Sequence, residues 1–200
     1  MSAAAVDTTR GSAAPVVATD TRQRLIDAAI ALFIRNSFAG TSLQMIADEL
    51  GITKAAIYHH FRTREQLLTA VLDPIIDRLR GVIETAESRR SASGRAESML
   101  NGYAELAVDC PALVAVLAAD PGVHTVLKAN REWTDLIARQ LSVLADLEPG
   151  PAGQVRAKFV FAGMAVSGGP TGDLDRESLH RHLVEAGRRT LGLRAPRRAP

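Results

Sequence analysis

The chain has 200 residues, 46% of them hydrophobic, and a net formal charge of only +2, which fits a globular core and excludes a disordered polyelectrolyte. No apolar run approaches the roughly 20 residues that span a bilayer, and the first twenty residues lack the charged-then-apolar layout of a secretory signal. Cys110 is the single cysteine, so no internal disulfide framework exists, and a cytoplasmic protein with no membrane partner is predicted.

In chain order, residues 1–20 are Ala, Ser, Thr, Val and Pro without periodicity and read as a flexible tail. From Thr21 onward Leu25, Ile26, Ala29, Ile30, Leu32 and Phe33 recur at helical spacing, and this first helix should end near Asn36-Ser37. A second helix should start at Thr41, where T-S-L-Q fits a capping box with Thr41 as the cap and Gln44 reaching back. Gly51 can stop it in the left-handed conformation, and Thr53 can cap a third. T-R-E-Q at 63–66 is a second capping box and opens a fourth helix. Two short helices joined by a tight glycine turn make a helix-turn-helix.

The third helix carries T-K-A-A-I-Y-H-H-F, residues 53–61. At about 100° per residue, Ile57, His60 and Phe61 fall on one side and Lys54, Ala55, Tyr58 and His59 on the other. The apolar side must pack on the preceding helices. The opposite side offers a cation, a phenol and an imidazole, with a small alanine permitting close approach, and such donors suit phosphate oxygens or base edges. Adjacent histidines diverge by about 100° on a helix, which is poor geometry for a shared metal; no metal and no cofactor is predicted. The charge distribution agrees weakly with a polyanion partner: residues 21–72 sum to +2 and residues 73–192 to −2.

The run of residues 21–72 resembles the N-terminal domain of the tetracycline-repressor (TetR) family of bacterial transcription regulators. The likeness lies in Ala28-Ala29 and Phe33, Thr41-Ser42, Ile46-Ala47, Gly51-Ile52, Tyr58, His60-Phe61, Glu65 and Leu67. It implies an all-α homodimer with a helix-turn-helix domain and a larger C-terminal domain that binds a small effector and dimerises. By that resemblance Thr41 and Ser42 sit near the DNA backbone, and Thr53, Lys54, Ala55, Tyr58 and His59 face the groove or its flanking phosphates. Arg64 stands where the family usually has a lysine and should keep the phosphate contact. Ser37 stands where the family usually has a glycine; Asn36, which tolerates the left-handed conformation, is expected to take the turn instead.

The expected domains are a tail at 1–20, the helix-turn-helix domain at 21–67, an effector and dimerisation domain at 68–193, and a basic tail at 194–200. Pro74 should kink or divide the fourth helix. Further helices are predicted at about 96–109, 111–119, 121–146, 152–168 and 175–191, bounded by prolines and glycines. The last two occupy the position of the family's dimerising pair. Ala157, Val160, Phe161, Gly163, Met164, Leu179 and Leu183 are the interface candidates. Candidate lining residues for an apolar effector pocket are Met99, Tyr103, Leu106, Val114, Leu117, His124, Leu127, Trp133, Ile137 and Phe159, with Trp133 and Tyr103 favoured because each joins apolar area to a polar handle.

No phosphate loop, dinucleotide fingerprint, zinc-protease motif or nucleophile elbow is present, and the chain is read as no enzyme. The predicted function is a DNA-binding regulator, a repressor bound as a homodimer to an inverted-repeat operator on the nucleoid and released by a small apolar effector. Two alternatives stay open: a metal or redox sensor using Cys110, His124, His180 and His182, and a constitutive DNA-binding dimer without effector.

Overall fold

The computed structural model describes residues 16–168 and 174–193, all in helices or their connections. Ten helices follow in order among these residues: α1 Val16–Gly40, α2 Leu43–Glu49, α3 Lys54–His60, α4 Arg64–Glu87, α5 Ala92–Asp109, α6 Pro111–Ala119, α7 Pro121–Ala129, α8 Arg131–Ala145, α9 Pro151–Ser167 and α10 Arg176–Thr190. The all-α class is as predicted. α1 begins at Val16, inside the expected tail; the rest of that tail and the basic segment 194–200 lie outside the described residues.

Local chemistry sets most boundaries. The hydroxyls of Ser42, Thr53, Thr63 and Ser91 accept from the backbone N–H three residues on, at 3.0–3.2 Å, each satisfying a helix-start donor that would otherwise be orphaned. The cap of α2 is therefore Ser42, not Thr41. Gln44 does not reach back; its amide donates to Asp48 Oδ1 at 2.7 Å. At the start of α4, Gln66 Oε1 accepts from the N–H of Arg62, one residue before the cap. α2 ends in a Schellman motif: the Gly51 N–H bonds Asp48 O and the Ile52 N–H bonds Ala47 O, with Gly51 at φ 63° as that turn requires.

Two boundaries differ from expectation. Residues 121–146 form two helices, because Asn130 leaves the helical region and its side chain accepts from Trp133 N–H at 3.0 Å, capping α8. α4 runs through Pro74 as one helix from Arg64 to Glu87. It links the helix-turn-helix to the larger helical body, where it packs on α1, α5 and α8, while α5 also packs on α10 and α8 on α9. Leu25, Ile46, Ile57, Leu67 and Leu68 fill the N-terminal part of the core, and Ile83, Met99, Leu100 and Leu144 the C-terminal part. Gly187 and Gly102 allow close helix crossings; a Cβ there would lie 2.6 Å from Leu100 Cδ2 and 2.7 Å from Val82 Cγ1 respectively.

Candidate functional site

α3 is held by its apolar side. Ile57 is fully buried and Phe61 nearly so, His60 is half-buried, and Lys54, Ala55, Tyr58 and His59 are exposed. Tyr58 is 43% exposed, with the Lys54 ammonium 5.6 Å from its ring centroid. The His59 and His60 rings meet edge-on at 5.3 Å. Ser42 and Thr53, both exposed, use their hydroxyls as caps, so the N-termini of α2 and α3 are formed and open to solvent.

Thr41 and Arg64 do something else. Thr41 is 1% exposed, and its hydroxyl donates to the carbonyls of Leu32 and Ser37 at 3.2 and 2.8 Å. It is a structural pin, out of reach of a phosphate. Arg64 turns inward: its Nη1 donates to the carbonyls of Phe38, Ala39 and Thr41 at 3.0, 2.9 and 3.0 Å, and its guanidinium carbon lies 4.4 Å from the Phe38 ring centroid. Phe38 and Ala39 lie at the end of α1 and Thr41 just beyond it; Phe38 O also accepts from Thr41 N–H at 3.3 Å, and Arg64 binds the helix-end carbonyls that a further turn would have bonded. A phosphate would have to compete with three satisfied hydrogen bonds. The backbone departs from helix at Ser37 itself, with φ 63° and ψ 165°, and not at Asn36; the Ser37 hydroxyl accepts from Gly40 N–H at 3.2 Å. That positive φ accounts physically for a position where glycine is the easier residue.

The end of α1 is also tied to the larger body. Asp120, 7% exposed, caps α7 by accepting from the N–H groups of Gly122 and Val123 at 2.8 and 3.3 Å. Its second oxygen accepts from the backbone N–H of Phe38. Residues 38–41 are therefore held by Arg64 at the start of α4 and by Asp120 at the cap of α7. Sequence reasoning missed Asp120; an Asp before Pro at a helix start was the available signal.

α7 also walls a cavity of about 320 Å³ in the C-terminal body. α5 contributes Tyr103 and Leu106, α6 Val114 and Leu117, α7 His124 and Leu127, and α8 Trp133 and Ile137, all of them predicted. Ile75, Leu79, Lys128, Ala162, Ala165 and Val166 join them without having been foreseen, because no local pattern marks which core face borders a void. Burial raises the Tyr103 phenol above its ordinary value, so it is a neutral hydrogen-bonding group. Met99 is fully buried in the core but does not border the cavity. Phe159 is 69% exposed on the outer side of α9.

The interface candidates separate by helical phase. Ala157, Val160 and Met164 on α9 and Leu183 on α10 are buried in the chain's own core, Leu179 is half-buried against it, and Phe161 stacks on Tyr103 at 5.4 Å and borders the cavity. Only Gly163 lies on the outward side, with nothing within 4 Å of the position of an added Cβ. The exposed apolar stripe of α9 is Val155, Phe159, Gly163 and Val166, of which Val166 also borders the cavity, spaced as one helix face. α9 carries Gln154, Arg156 and Lys158 in its first half but is apolar from Phe159 to Val166, so periodicity gives little phase there and the residues named from sequence, Gly163 apart, face the core.

Cys110, His124 and His180 lie in separate settings. Arg78 Nη1 lies 3.2 Å from the Cys110 sulfur, His124 Nε2 lies 2.6 Å from Leu117 O, and His180 Nε2 lies 3.3 Å from Asn101 O. Among the described residues no three His, Cys, Asp or Glu side chains assemble as a metal site, and no helix is long and apolar enough to cross a membrane.

Comparison with known proteins agrees with this arrangement. Residues 25–71 match the family of bacterial regulatory proteins of the tetR family. An HTH-type transcriptional regulator of Saccharopolyspora erythraea is 28% identical over 175 residues, 85% of this chain and 66% of that protein. The HTH-type transcriptional repressor KstR2 of Mycolicibacterium smegmatis is 34% identical over 71 residues, 34% of this chain. The chain thus spans somewhat under two thirds of the first relative and 35% of the second. In fold it resembles the ketosteroid transcriptional regulator KstR2 of Mycobacterium tuberculosis, with a TM-score of 0.66 at 21% identity over 86% of this chain and 93% of that one. These relatives are named as transcriptional regulators, residues 25–71 match the DNA-binding domain of the tetR family, and the chain as a whole shares the fold of the KstR2 structure.

Proposed function

We propose that the chain binds an inverted-repeat operator as a homodimer, represses by occupying it, and is released by a small, largely apolar molecule entering the cavity. The exposed Lys54, Tyr58 and His59, flanked by the open N-termini of α2 and α3, are the groups assigned to DNA. Ser42 and Thr53 add their capped helix starts to the backbone contact. Thr41 and Arg64 act indirectly, holding the corner from which α2 departs. The outward stripe of α9 is assigned to the dimer, because an exposed phenylalanine among valines on one helix face is costly in water.

The observation that carries the reading is the Asp120 junction. The same short helix that walls the cavity with His124 and Leu127 is capped by the carboxylate that holds Phe38. A ligand that favours one position of α7 over another must bias the end of α1 and thus α2 and α3, which is what effector release requires. Repression is supported by the likeness to a repressor over the N-terminal part of the chain.

Selection of duplexes from a random pool tests the reading. The expected result is an inverted repeat whose half-sites lie about one helical turn or more apart. Selection of a single asymmetric half-site by a monomer would refute the dimer, and release of the selected duplex by no cavity-binding compound would refute the effector.

A further inference from the structure

The cavity's lining carries a cation and, among the described residues, no carboxylate. Its described lining residues include no Asp or Glu, and the polar side chains among them are Lys128, His124, Tyr103 and Trp133. Trp133 and Lys128 are donors only, and the buried Tyr103 hydroxyl stays protonated. Leu117 O can only accept, so His124 donates to it from Nε2. His124 and Lys128 stand four residues apart on α7 and so share one face of it. Lys128 has no ion-pair or hydrogen-bond partner among the described residues. Its place in the last turn of α7 complements the helix dipole, but that does not explain a cation on the rim of an otherwise apolar wall.

We propose that the cavity selects lipophilic anions: molecules with an apolar body and one carboxylate, the carboxylate lying against Lys128 and the body among Leu79, Leu106 and Ile137. The proposal rests on the reading of this cavity as the effector site and adds the charge of the ligand to it. A lipophilic cation would meet an unpaired ammonium and no carboxylate, which disfavours it on charge alone. A neutral alcohol of the same length would gain the apolar contact without the charge-assisted hydrogen bond.

Trp133 is the only tryptophan in the chain and borders the cavity, so its fluorescence reports occupancy independently of DNA. Titrations of the full-length protein with decanoate, decanol and decyltrimethylammonium, below their micelle concentrations, test the charge. Decanoate should bind at least ten-fold more tightly than either of the others. Lys128→Met should bring decanoate to the level of decanol and leave decanol within about two-fold of wild type, whereas Lys128→Arg should keep most of the preference; Lys128 is exposed, so both variants should fold. Decyltrimethylammonium binding as well as decanoate would overturn the proposal, as would a preference that survives Lys128→Met. No fluorescence response to any of the three overturns it together with the effector reading. Preferential decanoate binding without release of the selected duplex upholds the anion preference and refutes effector release alone.

Discussion

Asp120 and Phe38 are 82 residues apart in sequence, and the carboxylate of one accepts the backbone N–H of the other. Both partners are buried, so the bond is shielded from water, and an N–H left without it would carry a desolvation cost. Asp120→Ala removes this bond and the α7 cap together and should lower stability by about 2 kcal/mol, whereas Asp120→Asn, which can still accept, should cost less than half of that. The more telling readout is coupling. In Asp120→Asn, ligand affinity by Trp133 fluorescence should stay near wild type while the ligand concentration needed to release DNA changes. Equal shifts in both would mean that Asp120 serves only stability.

Phe159 and Leu183 separate the outer face of the C-terminal helices from the inner one. Phe159→Asp should convert the dimer to a folded monomer in sedimentation, with little loss of helicity. Leu183→Ala should leave the dimer intact at working concentration and lower stability by about 3 kcal/mol, as expected for a buried leucine. The opposite pattern would restore the interchanged assignment of faces.

How much was legible in the sequence depended on how local the deciding interaction is. The order of helices around the DNA-binding motif was readable because caps, a glycine turn and 3.6-residue periodicity act within a few residues. The α3 faces followed from periodicity alone, since Ile57 and Phe61 are unambiguous anchors. Thr41 failed because Thr41 and Ser42 are chemically equivalent cap candidates, and only packing shows which of them is buried. The corner that Arg64 builds was not legible for a related reason: a guanidinium near a helix start suits a phosphate or a set of helix-end carbonyls equally well. Phe161 lines the cavity and Phe159 is exposed, a phase that the unbroken apolar run 159–166 of α9 leaves open. Tyr103, Leu106 and Trp133 line the cavity, which was legible because each helix there has one dominant apolar face.

Gln140 is completely buried on α8, and among the described residues neither its amide nitrogen nor its amide oxygen has a hydrogen-bond partner. Leaving such a group unpaired costs about 1–3 kcal/mol. Gln140→Leu, similar in volume, should raise the unfolding free energy by about 1–2 kcal/mol in denaturant titration. A loss of similar size would mean that the amide serves a bonded network.

Asp109 is gripped by Arg176 from α10 and Arg78 from α4, and hydrogen bonds from these two guanidinium groups, Arg176 first, hold its carboxyl below the ordinary carboxylate value. A carboxylate depressed in the folded state stabilises above its unfolded value, near pH 4, and loses that contribution as pH falls through the folded value. The stability gap between wild type and Asp109→Asn should therefore be widest above about pH 5 and should close below about pH 4. A gap that grows on acidification would contradict the pairing.

In the function proposed above, the exposed face of α3 grips DNA while Arg64 only builds the corner behind it. The slope of log affinity against log salt on the selected duplex measures this directly. Lys54→Ala should flatten the slope by about one unit per subunit and leave the melting temperature unchanged, since Lys54 is exposed. Arg64→Met should lower the melting temperature and weaken binding without a comparable change in slope. A Lys54→Ala slope equal to wild type, with the full loss of slope appearing in Arg64→Met, would contradict the account.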